Sequence, residues 1–183
     1  METLQNRKIA ILTENGFEES ELLSPKQALE EAGAIVHIVS PQNEKVRAMK
    51  DHEWSIEIPV DKILSDTDPN DYDALVLPGG VLNPDKLRIN DEALEFVRAF
   101  FNSAKPVAAI CHGLQTLINA NVVEGRELTS YPSIRIDLIN AGAYWVDKEV
   151  VVDNGLVTSR SPRDLPAFNK TMIKVIEEGI HQY

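Results

Sequence analysis

The sequence holds one cysteine, Cys111, so it can form no internal disulfide and nothing in it requires an oxidising compartment. Aromatic residues are sparse at 6%, and basic residues are outnumbered 29 to 18, which leaves a formal net charge of −11. A charge of that sign repels phosphate backbones and anionic lipid, so neither nucleic acid nor a membrane is an expected partner. Long apolar runs are missing as well. Nothing near Met1 to Arg7 has the length of a signal peptide, and no segment supplies the roughly 18 consecutive apolar residues of a membrane span, so the cytoplasm is the expected location. Without repeats, Ser/Gly-rich linkers or blocks of like charge, residues 1–183 are expected to fold as one domain. Neither G-x-G-x-x-G nor a P-loop occurs, and His37, His52, His112 and His181 lack metal-site spacing. No nucleotide cofactor and no catalytic metal are therefore expected.

What the chain does contain is ordinary globular material, 43% hydrophobic and 26% charged, enough to build a core. Short β-prone runs at 8–12, 35–39, 73–77 and 106–110 alternate with segments of helical periodicity. Ser24-Pro25-Lys26-Gln27 reads as a capped start for a helix over 25–32 that stops at Gly33. Alternation from Val46 to Val60, with Trp54, Ile56, Ile58 and Val60 on one face, predicts a small antiparallel excursion beside the main sheet. Asn90 or Asp91 caps a helix carrying Leu94, Val97 and Phe101, and further helices are expected over 114–120, 133–140 and 167–178. Short strands are expected at 128–130, 144–146, 149–152 and 156–159, the last two joined by a turn at Asp153-Asn154-Gly155. Repeated βα units predict an α/β fold, a doubly wound parallel sheet with ligand sites at the C-terminal strand ends.

Three segments end at that predicted rim: Leu12 before Glu18, Leu77 before Gly79-Gly80, and Ile110 before Cys111. A nucleophile on a sharp strand-to-helix turn is exposed above the sheet, and the N–H groups of the following helix lower a thiol pKa or bind an oxyanion. Cys111 fits that description, although a free cysteine is equally a small buried hydrophobe.

The chain also resembles the ThiJ/PfpI superfamily, which includes intracellular protease I and deglycase-like proteins. Five ordered motifs carry the resemblance. They are Lys8 to Leu12 followed by Gly16-Phe17-Glu18-Glu19, then Leu77-Pro78-Gly79-Gly80, Ala109-Ile110-Cys111-His112-Gly113, Thr129-Ser130-Tyr131-Pro132, and Asp164 to Asn169. The last of these, with Asn83-Pro84-Asp85, points to the protease I branch. The resemblance implies a flavodoxin-like sandwich with Cys111 as nucleophile, Glu18 as the acid that approaches the thiol, and His112 as the catalytic histidine. Asp85, in a loop one residue longer than the branch usually has, matches the acid that orients the histidine from a neighbouring subunit. Gly79, Gly80 and Tyr131 match oxyanion and pocket positions, and Glu18→Gln or Glu18→Leu is expected to alter Cys111 reactivity.

The resemblance further implies a stress-related cysteine hydrolase acting on peptide or dicarbonyl-adduct carbonyls, with cofactor-free glyoxalase chemistry open to the same site and no cofactor needed. It implies a homodimer or a higher homo-oligomer such as a hexamer. From another class, Cys111 serves a redox sensor or holdase, oxidised to a sulfenic or sulfinic acid. Residues 110–115 also resemble the elbow of class I glutamine amidotransferases, but no His-x-Glu pair follows: the last histidine is His181.

Overall fold

The computed structural model describes residues 3–179, so His181 lies outside the described residues. In chain order the strands are β1 (Lys8–Leu12), β2 (Phe17–Glu18), β3 (Ile35–Ser40), β4 (Lys45–Lys50), β5 (Glu53–Pro59) and β6 (Lys62–Ile63), then β7 (Ala74–Leu77), β8 (Val107–Ile110), β9 (Glu127–Leu128), β10 (Tyr144–Trp145), β11 (Val151–Asp153) and β12 (Leu156–Ser159). The helices are α1 (Glu19–Glu31), α2 (Leu82–Leu87), α3 (Asp91–Asn102), α4 (Leu114–Asn119), α5 (Arg135–Asn140) and α6 (Leu165–Glu178).

Ile9–Leu12, Ala74–Leu77 and Val107–Ile110 are buried throughout, as unbroken apolar runs must be when helices cover both faces of a parallel sheet. Their side chains alternate between two cores. Leu12, Leu75, Leu77 and Ala109 pack with Leu94, Val97 and Phe100 of α3 and Leu117 of α4. Ile9, Ile11, Val76 and Ile110 pack with Leu22 and Leu29 of α1 and Phe168 and Met172 of α6. The sheet order is β11-β12-β8-β7-β1-β3-β6, with β11 antiparallel to β12 across the expected turn. The chain therefore leaves β1 on one side for β3 and returns on the other for β7. That reversal is the topological switch point of a flavodoxin-like doubly wound sheet, where a crevice opens at the C-terminal ends of β1, β7 and β8.

The antiparallel excursion is the β4–β5 hairpin, paired through β4 to β2 rather than to the main sheet. Asp51 and His52 turn it, both in the left-handed region at φ 53° and 66°. Tandem positive φ is what a two-residue hairpin turn matching strand twist requires.

The first helix differs from the sequence expectation. It begins at Glu19, with Glu18 as the extended residue before it, and runs through Pro25. Proline inside a helix costs about 3 kcal/mol, but Leu22, Pro25 and Leu29 are buried on the sheet, and that burial outweighs the lost hydrogen bond. Ser24 caps nothing; its Oγ accepts from Asn169 Nδ2 of α6 at 2.8 Å. Two shorter elements also depart from expectation. The six-residue α2 follows Gly79-Gly80 where no helix is expected, and residues 132–134 form a 3-10 turn before α5. Asn90 does cap α3, accepting from Ala93 N at 3.0 Å.

Candidate active site

β8 stops at Ile110, and the chain turns through a 3-10 segment, Cys111–Gly113, into α4. Cys111 sits at φ 62°, a left-handed conformation that costs a side-chain-bearing residue about 1–2 kcal/mol. Its surroundings hold it there. Tyr131 N donates to the Cys111 carbonyl at 3.2 Å, and Gly113 passes so close beneath β7 that a Cβ would lie 2.7 Å from the Leu77 carbonyl oxygen. The strained turn presents the thiol to a cavity of about 550 Å³ at the switch point.

The cavity is assembled from distant segments. Gly16, Glu18 and Glu21 come from the β1–α1 region, Met49 and His52 from the β4–β5 hairpin, and Gly80, Val81 and Leu82 from the loop after β7. His112, Tyr131 and Pro162 complete it beside Cys111. Pro162 is held by the loop after β12, where Arg160 grips the Asp164 carboxylate through Nε and Nη2, both at 2.9 Å.

The acid against the thiol is Glu21. It is fully buried, and its carboxyl oxygens have no hydrogen-bond partner of good geometry. Burial pushes its pKa up to about 8; Glu18 adds repulsion, while the Cys111 thiol and the Gly80 and Gly79 N–H groups offset part of the rise. Glu21 is therefore protonated at neutral pH. Burial also pushes the Cys111 thiol up, helped by Glu21, against the pull of the His112 and Gly80 backbone N–H groups. A neutral Glu21 removes the repulsive contribution, and the two N–H groups then stabilise the thiolate that forms when the thiol gives up its proton.

Gly79 is tied to this pair sterically. A Cβ there would lie 2.5 Å from Glu21 Oε1 and 2.7 Å from Cys111 Cβ. At Gly80, φ +79°, a Cβ would meet the Gly16 carbonyl oxygen at 2.5 Å. Only glycines let the backbone pass this close, with the Gly80 N–H at the sulfur and the Gly79 N–H at the Glu21 carboxyl.

His112 Nδ1 is 3.2 Å from Cys111 Sγ, and Nε2 is 3.1 Å from Ser133 Oγ. Burial lowers the imidazole pKa, which favours the neutral ring. With its proton on Nε2 donated to Ser133 Oγ, the ring turns the Nδ1 lone pair to the thiol and can take its proton. Tyr131 stacks on the imidazole at 4.7 Å between centroids and 26° between planes. Losing the Ser133 bond removes about 1 kcal/mol of orientation, so Ser133→Ala should slow turnover about fivefold with KM unchanged. Steady-state kinetics check this, and a changed KM with constant kcat would assign Ser133 to substrate binding.

Residues 7–175 match the model of the DJ-1/PfpI family. This chain belongs to that family. It is 45% identical over 173 residues to General stress protein 18 of Bacillus subtilis, covering 94% of this chain and 99% of that one. It is 45% identical over 170 residues to Deglycase PfpI of Pyrococcus furiosus, covering 93% and 99%. Its fold superposes, with a TM-score of 0.87 and 35% identity, on a crystal structure from Anabaena variabilis that joins a DJ-1/ThiJ/PfpI-like domain to a ferritin-like one. That match covers 92% of this chain and 48% of the larger protein. Relatives named as deglycases support a cysteine-dependent hydrolase activity.

Within this DJ-1/PfpI site, Cys111, His112, Gly80, Tyr131 and Glu18 all line one cavity, with Gly79 directly behind it. Glu18 requires a correction of role. Placed just before α1, it stands half-buried at the rim, while Glu21, one helical turn later, reaches the sulfur. Burial, with repulsion from Asp51 and Glu19, raises the Glu18 pKa; His52 and Lys50 of the hairpin offset part of it. Asp85 is exposed on α2 and does not line the cavity of its own chain. Among the described residues no group of three or more His, Cys, Asp or Glu is placed to hold a metal ion.

Sequence reasoning missed Glu21, Ser133, Met49 and His52. A signal for Glu21 was present, since positions 21, 22, 25 and 29 share the buried stripe of α1. A carboxyl on an apolar stripe marks a functional group. The misplaced helix start at Pro25 hid that stripe. Ser133 and the hairpin residues carry no local signal, because only folding brings them to the cavity.

Proposed function

We propose that this protein is a cysteine-dependent hydrolase of the protease I and deglycase type, which acts on carbonyls of dicarbonyl-modified or peptide substrates. The observation that carries this reading is the strained Cys111 thiol held between protonated Glu21 and neutral His112 inside an open cavity. Cys111 adds to the carbonyl carbon as its proton passes to His112 Nδ1. The oxygen that gains the electron pair faces the Gly80 and His112 N–H groups. The reading places the protein in the cytoplasm, where reducing conditions keep a lone nucleophilic thiol free; among the described residues no helix is long and apolar enough to cross a membrane.

Between the two substrates, the site of one chain supports dicarbonyl adducts. Expelling a peptide amine requires His112 to hold the proton taken from Cys111 until it reaches the amine nitrogen, and burial disfavours that imidazolium, whose Nε2 faces a serine and not a carboxylate. We assign the missing carboxylate to Asp85 of a second copy. In support, Asp85 on α2 is flanked by two exposed apolar residues just outside the helix, Val81 before it at 62% and Ile89 after it at 81%, as expected for a face that pairs in a homodimer or larger assembly.

The parent and Asp85→Asn proteins should therefore be compared on a methylglyoxal-modified peptide and on a fluorogenic peptide, with light scattering to report assembly. Asp85→Asn should retain adduct removal within about threefold and lose peptide hydrolysis by tenfold or more. A parent inactive on both substrates sinks the hydrolase reading. A strictly monomeric parent that cleaves peptide sinks the role of Asp85.

A further inference from the structure

Asn83 is 0% exposed and every hydrogen-bonding group of its amide is used. Nδ2 donates to the Pro78 carbonyl at 3.0 Å and to the Gly79 carbonyl at 3.1 Å, while Oδ1 accepts from Glu14 N at 2.7 Å. Its orientation is dictated by these partners, because the reverse would oppose donor to donor and acceptor to acceptors. The far side of the clamp is anchored in turn: the Glu14 carboxylate accepts from Asn15 N at 2.9 Å and from Gln42 Nε2 at 3.1 Å. Asn83 does not line the cavity and so touches no substrate.

The peptide it grips joins two glycines. With no Cβ on either side, opposite rotations about the bonds flanking the Gly79–Gly80 peptide meet no side-chain barrier, which makes it among the easiest in the chain to flip. Peptide bonds among the described residues are trans, so the Gly79 carbonyl and the Gly80 N–H point in opposite directions. Drawing the carbonyl toward Asn83, with Glu18 N as a second donor at 3.4 Å, turns the Gly80 N–H toward Cys111 and Glu21.

We infer that Asn83 is a positioning residue for the Cys111 thiolate: by holding the Gly79 carbonyl it keeps the Gly80 N–H aimed at the sulfur and at the oxyanion formed there. This rests on Cys111 being the nucleophile. A thiolate accepting from Gly80 N–H polarises the 79–80 peptide and strengthens the Asn83 bond on its other side, so sulfur and amide are coupled through one peptide unit.

The test is the pH profile of iodoacetamide alkylation of Cys111 in the parent, Asn83→Asp and Asn83→Ala proteins. Asn83→Asp preserves an acceptor for Glu14 N and removes both donors to the 78–79 carbonyls, whereas Asn83→Ala removes everything without adding charge. Both variants should move the alkylation midpoint up by about one pH unit, about tenfold slower labelling below it. Folded variants whose profiles superimpose on the parent's overturn the proposal. In the parent, where folding is not in question, the Asn83 side-chain amide resonances should shift together with the Gly80 amide as Cys111 titrates. A moving Gly80 signal beside a flat Asn83 signal also overturns it. Alkylation needs no enzymatic substrate, so the two readings fail separately: a parent without turnover sinks the hydrolase, and an unmoved profile sinks the role of Asn83.

Discussion

Cys111→Ser should lower turnover of any carbonyl substrate about a thousandfold or more while leaving the fold intact. Two backbone N–H groups and one neutral acid stabilise the thiolate formed as Cys111 loses its proton, an arrangement matched to sulfur, which ionises more readily than a hydroxyl oxygen in the same place. A serine hydroxyl at the same place has a far higher pKa, and the neutral His112 beside it is too weak a base to ionise it readily. Little stability is lost, because the sulfur is one atom in a cavity wall. The strain at Cys111 gives an internal control: Cys111→Gly should be more stable than Cys111→Ala by about 1 kcal/mol, since glycine accepts φ 62° freely. Thermal melts and steady-state rates measure both effects. A serine variant that retains turnover within tenfold would remove Cys111 as nucleophile. Holdase activity that survives Cys111→Ser, with no turnover in the parent, would favour a chaperone instead.

Glu21→Gln should stabilise the protein by a margin that widens as pH rises from 5 to 8. The Glu21 carboxyl pKa rises from 4.5 to about 8 on folding, so between those values the folded chain binds more protons than the unfolded one. Stability then falls with increasing pH across that window, and the contribution present below pH 4.5 is lost as pH passes 8. At about 1.4 kcal/mol per pH unit the full cost is a few kcal/mol, and an amide that cannot ionise escapes it. The same substitution weakens the acid's hydrogen bond to the thiolate, and Glu21→Leu removes it, so alkylation of Cys111 should slow in the order parent, Gln, Leu. Glu18→Gln, at the half-buried rim, should change the profile much less. Parallel melting curves for parent and Glu21→Gln across pH 5 to 8 would show that Glu21 ionises freely and plays no such part. The trade of stability for a reactive site is familiar from enzymes whose polar groups are buried for function.

The central strands were legible because their signal is local. Ile9–Leu12, Ala74–Leu77 and Val107–Ile110 are apolar at every position, and a short run of that kind is stable only as a strand covered on both faces. The hairpin at Asp153-Asn154-Gly155 and the cap at Asn90 follow from the backbone preferences of those residues. The start of α1 was misread for the opposite reason. Ser24-Pro25 is a strong local signal for a helix start, and packing of Leu22, Pro25 and Leu29 against the sheet overrides it.

By itself the sequence determined the doubly wound fold and the strand-to-helix elbow at Cys111, because periodicity and turn signals are properties of neighbouring residues. Only the tertiary structure decided which acid meets the sulfur, which group holds His112, and what clamps the Gly79–Gly80 peptide. Glu21 and Ser133 act across gaps in the chain that no local pattern spans, and the Asn83 clamp is anchored by a bond to Glu14 that bridges 69 positions. Their roles are set by directions in space, and those exist only once the sheet has brought the ends of β1, β7 and β8 to one rim.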